Sequence, residues 1–382
     1  MARLQLPPFR VWIWTAATLA LVVVAALLWR GSDAAATEST TAAPADVPSG
    51  TPAGAVSEAW SAPGDPVPGT VVQDGRVLVG SEHGVRALDP VTGEEAWHYT
   101  RSNARLCGLT VTDGVAVAVF ATEDRCDEAV ALDADTGIRR WNRSLRLRAD
   151  AELDSTASIV LAASPTGVVT LDPTGDNIRW RYAAPGGCRL LGAEAGTSGV
   201  AVLQRCSGAA SPQLRLFDGF DGSSHWTRDV PGTKADDPAL LGADGLLTLR
   251  VGGEVQGLSP TDGAVLARLP VPPGTGAVEA RSGVSVMLVR IGGTLSALDL
   301  TTAAVRWTAP ATGLPAAPTA GKDARTPVAL LVPDADGFSS RDPGTGAELG
   351  RSDADDVPEG GVASAIGPVV VYRLDDEVLA YH

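Results

Sequence analysis

The sequence predicts an all-β fold, an eight-bladed β-propeller of four-stranded blades, and two observations predict it. First, a Trp follows an Asp by eight residues five times in the chain. The pairs are Asp89 and Trp97, Asp133 and Trp141, Asp172 and Trp180, Asp218 and Trp226, and Asp299 and Trp307. Second, this unit recurs about every 40 residues, which indicates one small module copied around a larger assembly.

Turn residues divide each unit into four short strands. In the first clear unit we expect strands at 70–73, 76–80, 85–88 and 94–100, separated by Asp74-Gly75, a turn at 82–84, and Thr92-Gly93. Asp-Gly and Thr-Gly sequences are typical of hairpin turns, because Gly accepts a positive φ at no steric cost. Beyond residue 54 no stretch shows a sustained helical period. The whole region 54–382 is therefore predicted to be one propeller.

The position that holds the repeated Asp predicts the number of blades. It falls at Asp89, Asp133, Asp172, Asp218, Ser259, Asp299, Asp342 and His382. These are eight third strands, with seven blades as the alternative if one weak unit forms a loop. The last unit lacks a fourth strand, whereas Trp60 lies in a fourth strand with nothing before it. Pairing of these two halves would close the ring and leave no exposed sheet edge there.

The Trp residues are predicted to fill the gaps between neighbouring blades, because an indole ring supplies a large flat surface and one N–H to satisfy. This structural role is expected for Trp60, Trp97, Trp141, Trp180, Trp226 and Trp307. Two units depart from the pattern, with Ala267 and Gly350 in the Trp position. The joints at those two units are expected to be less well packed.

The N-terminus predicts a membrane anchor. Residues 11–29 are 19 residues without a charge, close to the length that crosses a bilayer core. Arg3 and Arg10 precede them, so 1–10 is predicted to be cytoplasmic and the propeller extracytoplasmic. A cleavable signal peptide is the alternative. Residues 30–53 are rich in Ala, Thr, Ser and Pro, and are predicted to form a disordered linker.

Composition limits the partners. The formal net charge is −15, with 28 Arg and only two Lys among the 30 basic residues, a usage typical of GC-rich actinobacterial genomes. An acidic balance argues against nucleic acid as a partner, since phosphates recruit basic surfaces. The expected partners are the cell membrane, through the N-terminal helix, and proteins or polymers of the envelope.

Four cysteines predict two disulfides. Cys107 and Cys126 are 19 residues apart, and Cys188 and Cys206 are 18 apart. Both pairs are expected at the open ends of hairpins between first and second strands, two blades apart. Such bonds persist in oxidising compartments, in agreement with an extracytoplasmic propeller. Free buried thiols are the alternative.

Residues 87–97, ALDPVTGEEAW, and 131–141, ALDADTGIRRW, resemble the tryptophan-docking repeat of quinoprotein-type β-propellers. In that family the dehydrogenases bind pyrroloquinoline quinone (PQQ) and Ca²⁺, typically beside a disulfide of adjacent cysteines. This chain has no adjacent cysteine pair. It is more similar to the non-enzymatic branch that includes the propeller subunit of the outer-membrane β-barrel assembly machinery. The resemblance implies a scaffold with no cofactor, no metal and no catalytic residues; a quinoprotein-like enzyme is the alternative.

One local charge pattern suggests a further site. Arg139, Arg140, Arg143, Arg146 and Arg148 surround Trp141 in an otherwise acidic protein. These arginines are a candidate patch for an anionic wall polymer or lipid headgroup, while solvated Arg on an outer strand is the alternative. The sequence as a whole predicts a membrane-anchored, extracytoplasmic, non-catalytic binding module.

Overall fold

Strands dominate the computed structural model, which describes residues 9–65, 67, 71–122, 125–146, 152–175, 177–231, 236–317 and 329–382. Over these residues the strands form eight sheets that follow one another in chain order. The predicted eight-bladed β-propeller is thus confirmed. The alternative of seven blades is wrong, because each of the eight predicted third strands lies in its own sheet.

Two helices and two strands precede the first blade, and the remaining strands form the blades. The N-terminal elements are α1 Phe9–Arg30, α2 Asp33–Ala36, β1 Thr37–Ser39 and β2 Glu58–Pro63. Blade 1 contains β3 Val77–Ser81, β4 Gly84–Leu88 and β5 Glu95–Arg101; blade 2 contains β6 Arg105–Thr112, β7 Val115–Thr122, β8 Arg125–Asp133 and β9 Arg139–Ser144. Blade 3 contains β10 Glu152–Ser155, β11 Val160–Ser164, β12 Gly167–Leu171 and β13 Ile178–Ala183; blade 4 contains β14 Cys188–Gly196, β15 Gly199–Cys206, β16 Gln213–Phe217 and β17 Ser224–Asp229.

The second half of the ring is built in the same way. Blade 5 contains β18 Ala239–Ala243, β19 Leu247–Val251, β20 Glu254–Leu258 and β21 Val265–Pro270; blade 6 contains β22 Val278–Ser282, β23 Val286–Ile291, β24 Thr294–Asp299 and β25 Val305–Pro310. A short strand, β26 Leu314–Pro315, precedes blade 7, which contains β27 Leu330–Asp334, β28 Gly337–Arg341 and β29 Glu348–Asp353. Blade 8 contains β30 Val362–Ile366, β31 Val369–Arg373 and β32 Glu377–Tyr381.

Consecutive strands of a blade are antiparallel, so each blade has two distinct ends. The turns after first and third strands lie at one end, which carries the repeated Asp and is called here the Asp-turn end. The turns after second strands lie at the other end, called the opposite end. First strands of consecutive blades contact each other, as β6 does β10, β10 does β14, and β14 does β18. First strands therefore surround the centre of the ring.

The ring closes as the sequence predicts. Strand β2 pairs antiparallel with β32, with Trp60 opposite Ala380. The N-terminal strand thus becomes the outer strand of blade 8. On the inner side of the same blade, β26 pairs in parallel with β30, with Leu314 opposite Val362. Blade 8 has five strands as a result, and the described part of blade 7 has three.

The predicted first strand of blade 1, 70–73, is not a strand in its described part, 71–73. Gln73 forms an isolated bridge with Arg76, and Asp65 forms another with Gly80 on the inner edge of β3. The sequence just before this part contains Pro66 and Pro68. Proline has no backbone N–H, so a Pro-rich segment cannot supply a regular ladder.

Helix α1 has 22 residues, none of them buried, and the stretch between Arg10 and Arg30 carries no charge. By length and composition it is sufficient to cross a bilayer, a property that signal sequences near an N-terminus share. Its bounds, Phe9–Arg30, extend one to two residues beyond the predicted 11–29 at each end.

Part of the predicted disordered linker, residues 30–53, is instead ordered against blades 1 and 2. Strand β1 pairs antiparallel with the outer strand β5, with Thr37 opposite Arg101. The chain then crosses the Asp-turn end, where the Ala42 N–H donates to the Thr136 carbonyl at 3.0 Å. The Ala45 N–H donates to Asp135 Oδ1 at 2.7 Å. The outer edge of a blade offers unpaired backbone groups, so a segment without large apolar side chains can still be ordered by backbone hydrogen bonds.

The hydrophobic core is divided into layers that lie between blades. One layer combines Val85 and Trp97 of blade 1 with Ala116 and Phe120 of blade 2. Because each layer needs two blades, a single unit cannot bury its own apolar faces. The positions of all candidate site residues therefore depend on how neighbouring blades meet.

Candidate functional site

The six predicted Trp residues make the same contact at six joints between blades. Each indole Nε1 donates to the carbonyl that follows the repeated Asp position of the next blade. The acceptors are Pro90 for Trp60 (3.1 Å), Ala134 for Trp97 (3.2 Å), Pro173 for Trp141 (3.0 Å), Gly219 for Trp180 (3.1 Å), Pro260 for Trp226 (2.8 Å) and Pro343 for Trp307 (2.9 Å). The indole N–H is thus hydrogen-bonded within the joint, and the six rings pack neighbouring blades together.

The side chain of the repeated Asp is also hydrogen-bonded, by backbone groups of its own turn. Asp299 Oδ1 accepts the backbone N–H of Thr301 and of Thr302, each at 2.9 Å. Its Oδ2 accepts Arg306 Nη2 at 2.6 Å. The hydrogen bond from Arg306, followed by those from the turn, holds the pKa of Asp299 well below its ordinary value. A carboxylate held in this way remains ionised and is not suited to general acid or base catalysis near neutral pH.

The joint between blades 5 and 6 lacks its Trp, and the structure shows what replaces it. Ala267 is in the Trp position of β21. Ala303 takes the place in blade 6 that Gly holds at other joints, with φ +54°. Ala303 is 1% exposed, and a Cβ on Gly257 would lie 2.9 Å from the Ala303 Cβ. The extra methyl group of Ala303 thus fills part of the space that the missing indole leaves.

Both predicted disulfides form. Cys188 and Cys206 pair across β14 and β15, at the open end of a first-to-second hairpin as predicted. Cys107 and Cys126 also pair, but the predicted position is wrong, because Cys126 lies on the third strand β8 and not on the second. The register of β6 with β7 shifts at Leu106/Gly108, and that of β7 with β8 shifts at Phe120/Ala121. These bulges accompany a bond between strands that are not neighbours in the sheet.

The candidate anion patch is only partly assembled. Arg139 is exposed, and Arg140 is ion-paired with Asp133 Oδ2 at 2.6 Å. Arg143 and Arg146 lie near Arg181 of blade 3, whose Nη1 donates to the Leu145 carbonyl at 2.9 Å. Burial, and then the charges of Arg146 and Arg143, lower the pKa of Arg181. Arg148 lies outside the described residues, and anion binding remains a prediction.

A cluster of carboxyl groups at the centre of the ring is not predicted by the sequence. Asp154 on β10 accepts the backbone N–H of Ala195 in the next blade at 2.7 Å. Asp244, just after β18, accepts the Thr197 N–H at 3.0 Å. Glu194 on β14 lies between them and shares a hydrogen bond with Asp154. Burial and the charge of Asp154 raise the pKa of Glu194 well above its ordinary value.

Arg281 on β22 completes this cluster from blade 6. Its charge interacts with Asp154, Glu194 and Asp244, while burial lowers its pKa. Asp154 thus joins blade 3 to blade 4, and Asp244 joins blade 5 to blade 4, near the centre of the ring. In the sequence, Asp154 and Glu194 are single acidic residues in what become β10 and β14, and Asp244 belongs to an Asp-Gly turn, so nothing in the sequence places the three together.

Three observations on the described residues concern PQQ and Ca²⁺. No group of three or more His, Cys, Asp or Glu among them is arranged to hold a metal ion. Both disulfides join strands 18 or 19 residues apart in sequence, whereas the cofactor-binding arrangement uses adjacent cysteines. The Trp residues of the propeller lie in the joints between blades.

The Trp joints and the Asp turns define a β-propeller of tryptophan-docking repeats. A family model described as outer membrane protein assembly factor BamB matches residues 27–186 and 165–309. These residues are more than half of the chain, which therefore belongs to this family.

The sequence identity to individual proteins is below 30% in each of the following comparisons. The chain is 27% identical over 218 residues to the serine/threonine-protein kinase AfsK of Streptomyces griseus, a match that covers 50% of this chain and 26% of the kinase. The chain thus spans about a quarter of that relative's length. BamB from Moraxella catarrhalis has a TM-score of 0.51 at 17% identity, covering 86% of this chain and 99% of BamB. A europium-containing methanol dehydrogenase has a TM-score of 0.51 at 13% identity, covering 85% and 93%. At these identities the two structures show the fold alone.

Proposed function

We propose that the protein is a membrane-anchored, extracytoplasmic β-propeller that binds proteins or polymers of the cell envelope and has no catalytic activity. The observation that carries this proposal is the use of the repeat's polar groups. The indole N–H groups and the repeated carboxylates already have partners inside joints and turns. Binding would then be made by the surface turns, as is typical of a scaffold.

Three further observations support the location. Helix α1 is long and apolar enough to cross a bilayer. Two disulfides agree with an oxidising compartment. Membership of the BamB family agrees with a role in the envelope. Alkaline carbonate extraction of membranes, together with the mass of the mature N-terminus, tests the anchor: we expect the chain in the pellet with residues 9–30 retained. Recovery of a cleaved chain in the soluble fraction would overturn it.

Binding is best tested in intact cells. Phe220 lies in the Asp turn of blade 4 and is 70% exposed, so p-benzoylphenylalanine can replace it without disturbing the core. We expect a cross-linked product whose partner is identified by mass spectrometry. The same variant without irradiation should give none. Absence of a specific product at Phe220 and at the other exposed Asp turns would contradict a scaffold.

The competing function is a PQQ-dependent enzyme. Titration of the purified chain with PQQ and Ca²⁺ separates the two, because a bound quinone changes its absorbance and stabilises the fold by mass action. We expect neither an absorbance change nor a thermal shift. A saturable change in both would establish the enzyme and overturn the non-catalytic proposal.

A further inference from the structure

Helix α1 is joined to the propeller by a very short and ordered connection. Only Gly31 and Ser32 separate it from α2. The Ser32 hydroxyl donates to the Trp29 carbonyl at 2.7 Å, at the end of α1. The same hydroxyl accepts the Ala35 N–H at 3.3 Å, at the start of α2. Ser32 thus caps both helices, and the connection is not a flexible tether.

Helix α2 is in turn fixed to blades 1 and 2. Arg101, 1% exposed, donates to Asp33 Oδ1 at 2.8 Å and to Glu128 Oε2 at 2.9 Å. Asn103 Nδ2 also donates to Asp33 Oδ1 at 2.8 Å. A buried guanidinium that bridges two carboxylates holds them in a defined geometry. Strand β1 follows at once and pairs with β5, so the attachment continues along the blade.

The register of β1 shows which end of the propeller the chain enters from. Strand β5 begins after an Asp turn and ends at Arg101, whose N–H donates to the His83 carbonyl in the opposite-end turn at 2.8 Å. The Ser102 N–H donates to the Ala36 carbonyl at 2.9 Å, so α2 lies at the opposite end. Because β1 is antiparallel to β5, the chain runs from the opposite end towards the Asp-turn end. Helix α1 must therefore approach from the opposite end.

We propose that the opposite end of the propeller faces the lipid surface, on the side of blades 1 and 2, and that the Asp-turn end points away from it. This inference rests on the proposed membrane anchoring by α1. Residues 40–50 cross the Asp-turn end at blades 1, 2 and 8, where the Ala42 and Ala45 N–H groups bond to blade 2 and Pro48 lies against Gly367. The turns of blades 3 to 7 at that end are then the surface presented to an envelope partner.

Blade 3 offers a matched pair of positions for a test. Ala157 lies in the turn before β11 and Thr166 in the turn after it, and both are exposed. Each is replaced by Cys in the full chain, labelled with a donor dye, and reconstituted in nanodiscs of phosphatidylcholine and phosphatidylglycerol with a headgroup-linked acceptor. The two labels are separated by roughly 20 Å along the blade, so we expect about twofold or greater energy transfer from position 166 than from position 157.

A second variant tests whether the ordered connection sets the orientation. A flexible Gly-Ser insertion of about 12 residues between Gly31 and Ser32 keeps both anchor and propeller but separates them. The difference between the two labels should shrink in this variant. Equal transfer from both positions in the uninserted chain, or higher transfer from position 157, would overturn the proposed orientation. A chain that enters no nanodisc would instead remove the anchor itself, and with it the orientation.

Discussion

Trp307 and Gly346 meet across the joint between blades 6 and 7, where a Cβ on Gly346 would lie 2.6 Å from the indole ring. Gly346 also has φ +72°, a backbone conformation that disfavours other residues. The same contact recurs between Trp60 and Gly93, and between Trp97 and Gly137. The Gly of the repeat is therefore needed twice, once for its own turn and once to admit the Trp of the preceding blade.

Substitution of this Gly should destabilise the fold. We expect Gly346→Ala to lower the free energy of unfolding by about 2–4 kcal/mol, because it adds backbone strain and overpacks the joint. Gly350→Ala in the same blade is a matched control, since no atom lies within 4 Å of its added Cβ. Denaturant unfolding of the two variants measures the difference. Equal stability of the two would show that the Trp307 contact is unimportant.

The joint between blades 5 and 6, which has Ala267 in the Trp position, can be converted to the common form. Ala267→Trp alone should destabilise the protein, because the Ala303 methyl group occupies part of the space that an indole would need. Adding Ala303→Gly should recover about 1–3 kcal/mol of the loss, since it removes both that methyl group and the positive-φ strain. A double-mutant cycle on the free energy of unfolding measures this coupling. Additivity within about 0.5 kcal/mol would contradict it.

The blade 4 disulfide should contribute to stability. Replacing both Cys188 and Cys206, which are 18 residues apart, by Ser is expected to lower the free energy of unfolding by about 3 kcal/mol, because the cross-link restricts the unfolded chain. Unfolding of the variant and of the native chain under oxidising conditions measures the loss. The Cys107–Cys126 bond remains as an internal reference. An unchanged unfolding midpoint would exclude a stabilising role.

The central carboxyl cluster predicts a pH dependence. The pKa of Glu194 is raised in the folded state by burial and by Asp154. A carboxyl with a raised pKa contributes stability below its unfolded pKa, about 4.3 for Glu, and loses it as the pH rises through its folded pKa. We therefore expect stability to fall over that window in the native chain. Glu194→Gln should flatten the dependence, whereas an unaltered slope would exclude Glu194 as its source.

Two buried arginines should respond in opposite ways to replacement. Arg373 donates through Nη2 to the Leu78 carbonyl at 2.6 Å, but Nε and Nη1 have no hydrogen-bond partner among the described residues. Burial lowers its pKa to about 10. We expect Arg373→Met to be neutral or stabilising by about 1–4 kcal/mol, because a buried charge without a carboxylate is unfavourable.

Arg101→Met is the matched comparison. Arg101 bridges Asp33, whose side chain is 71% exposed, and Glu128, whose side chain is 24% exposed. Its loss should destabilise the protein by about 1–3 kcal/mol, mainly because Glu128 loses its partner. Thermal and denaturant unfolding of both variants gives the comparison. If Arg373→Met were the more damaging of the two, the guanidinium would have a role that its hydrogen bonds do not show.

The repeat made most of the propeller predictable. Trp60 indicated a fourth strand without a blade, and β2 does pair with β32. The cysteine spacings predicted both pairings. The strand that carries Cys126 was not predictable, because bulges shift the register locally and leave little trace in sequence. The first strand of blade 1 was predicted over 70–73, but in its described part Gln73 forms only an isolated bridge with Arg76.

What the sequence by itself determined was the module, its number and the closure of the ring, because each depends on residue types at fixed spacings along the chain. Only the tertiary structure decided the path of residues 31–54 and the grouping of Asp154, Glu194 and Asp244. Backbone hydrogen bonds to an open sheet edge require no particular side chain. Carboxyl groups about 40 to 50 residues apart in sequence meet only when first strands of consecutive blades are brought together around one centre.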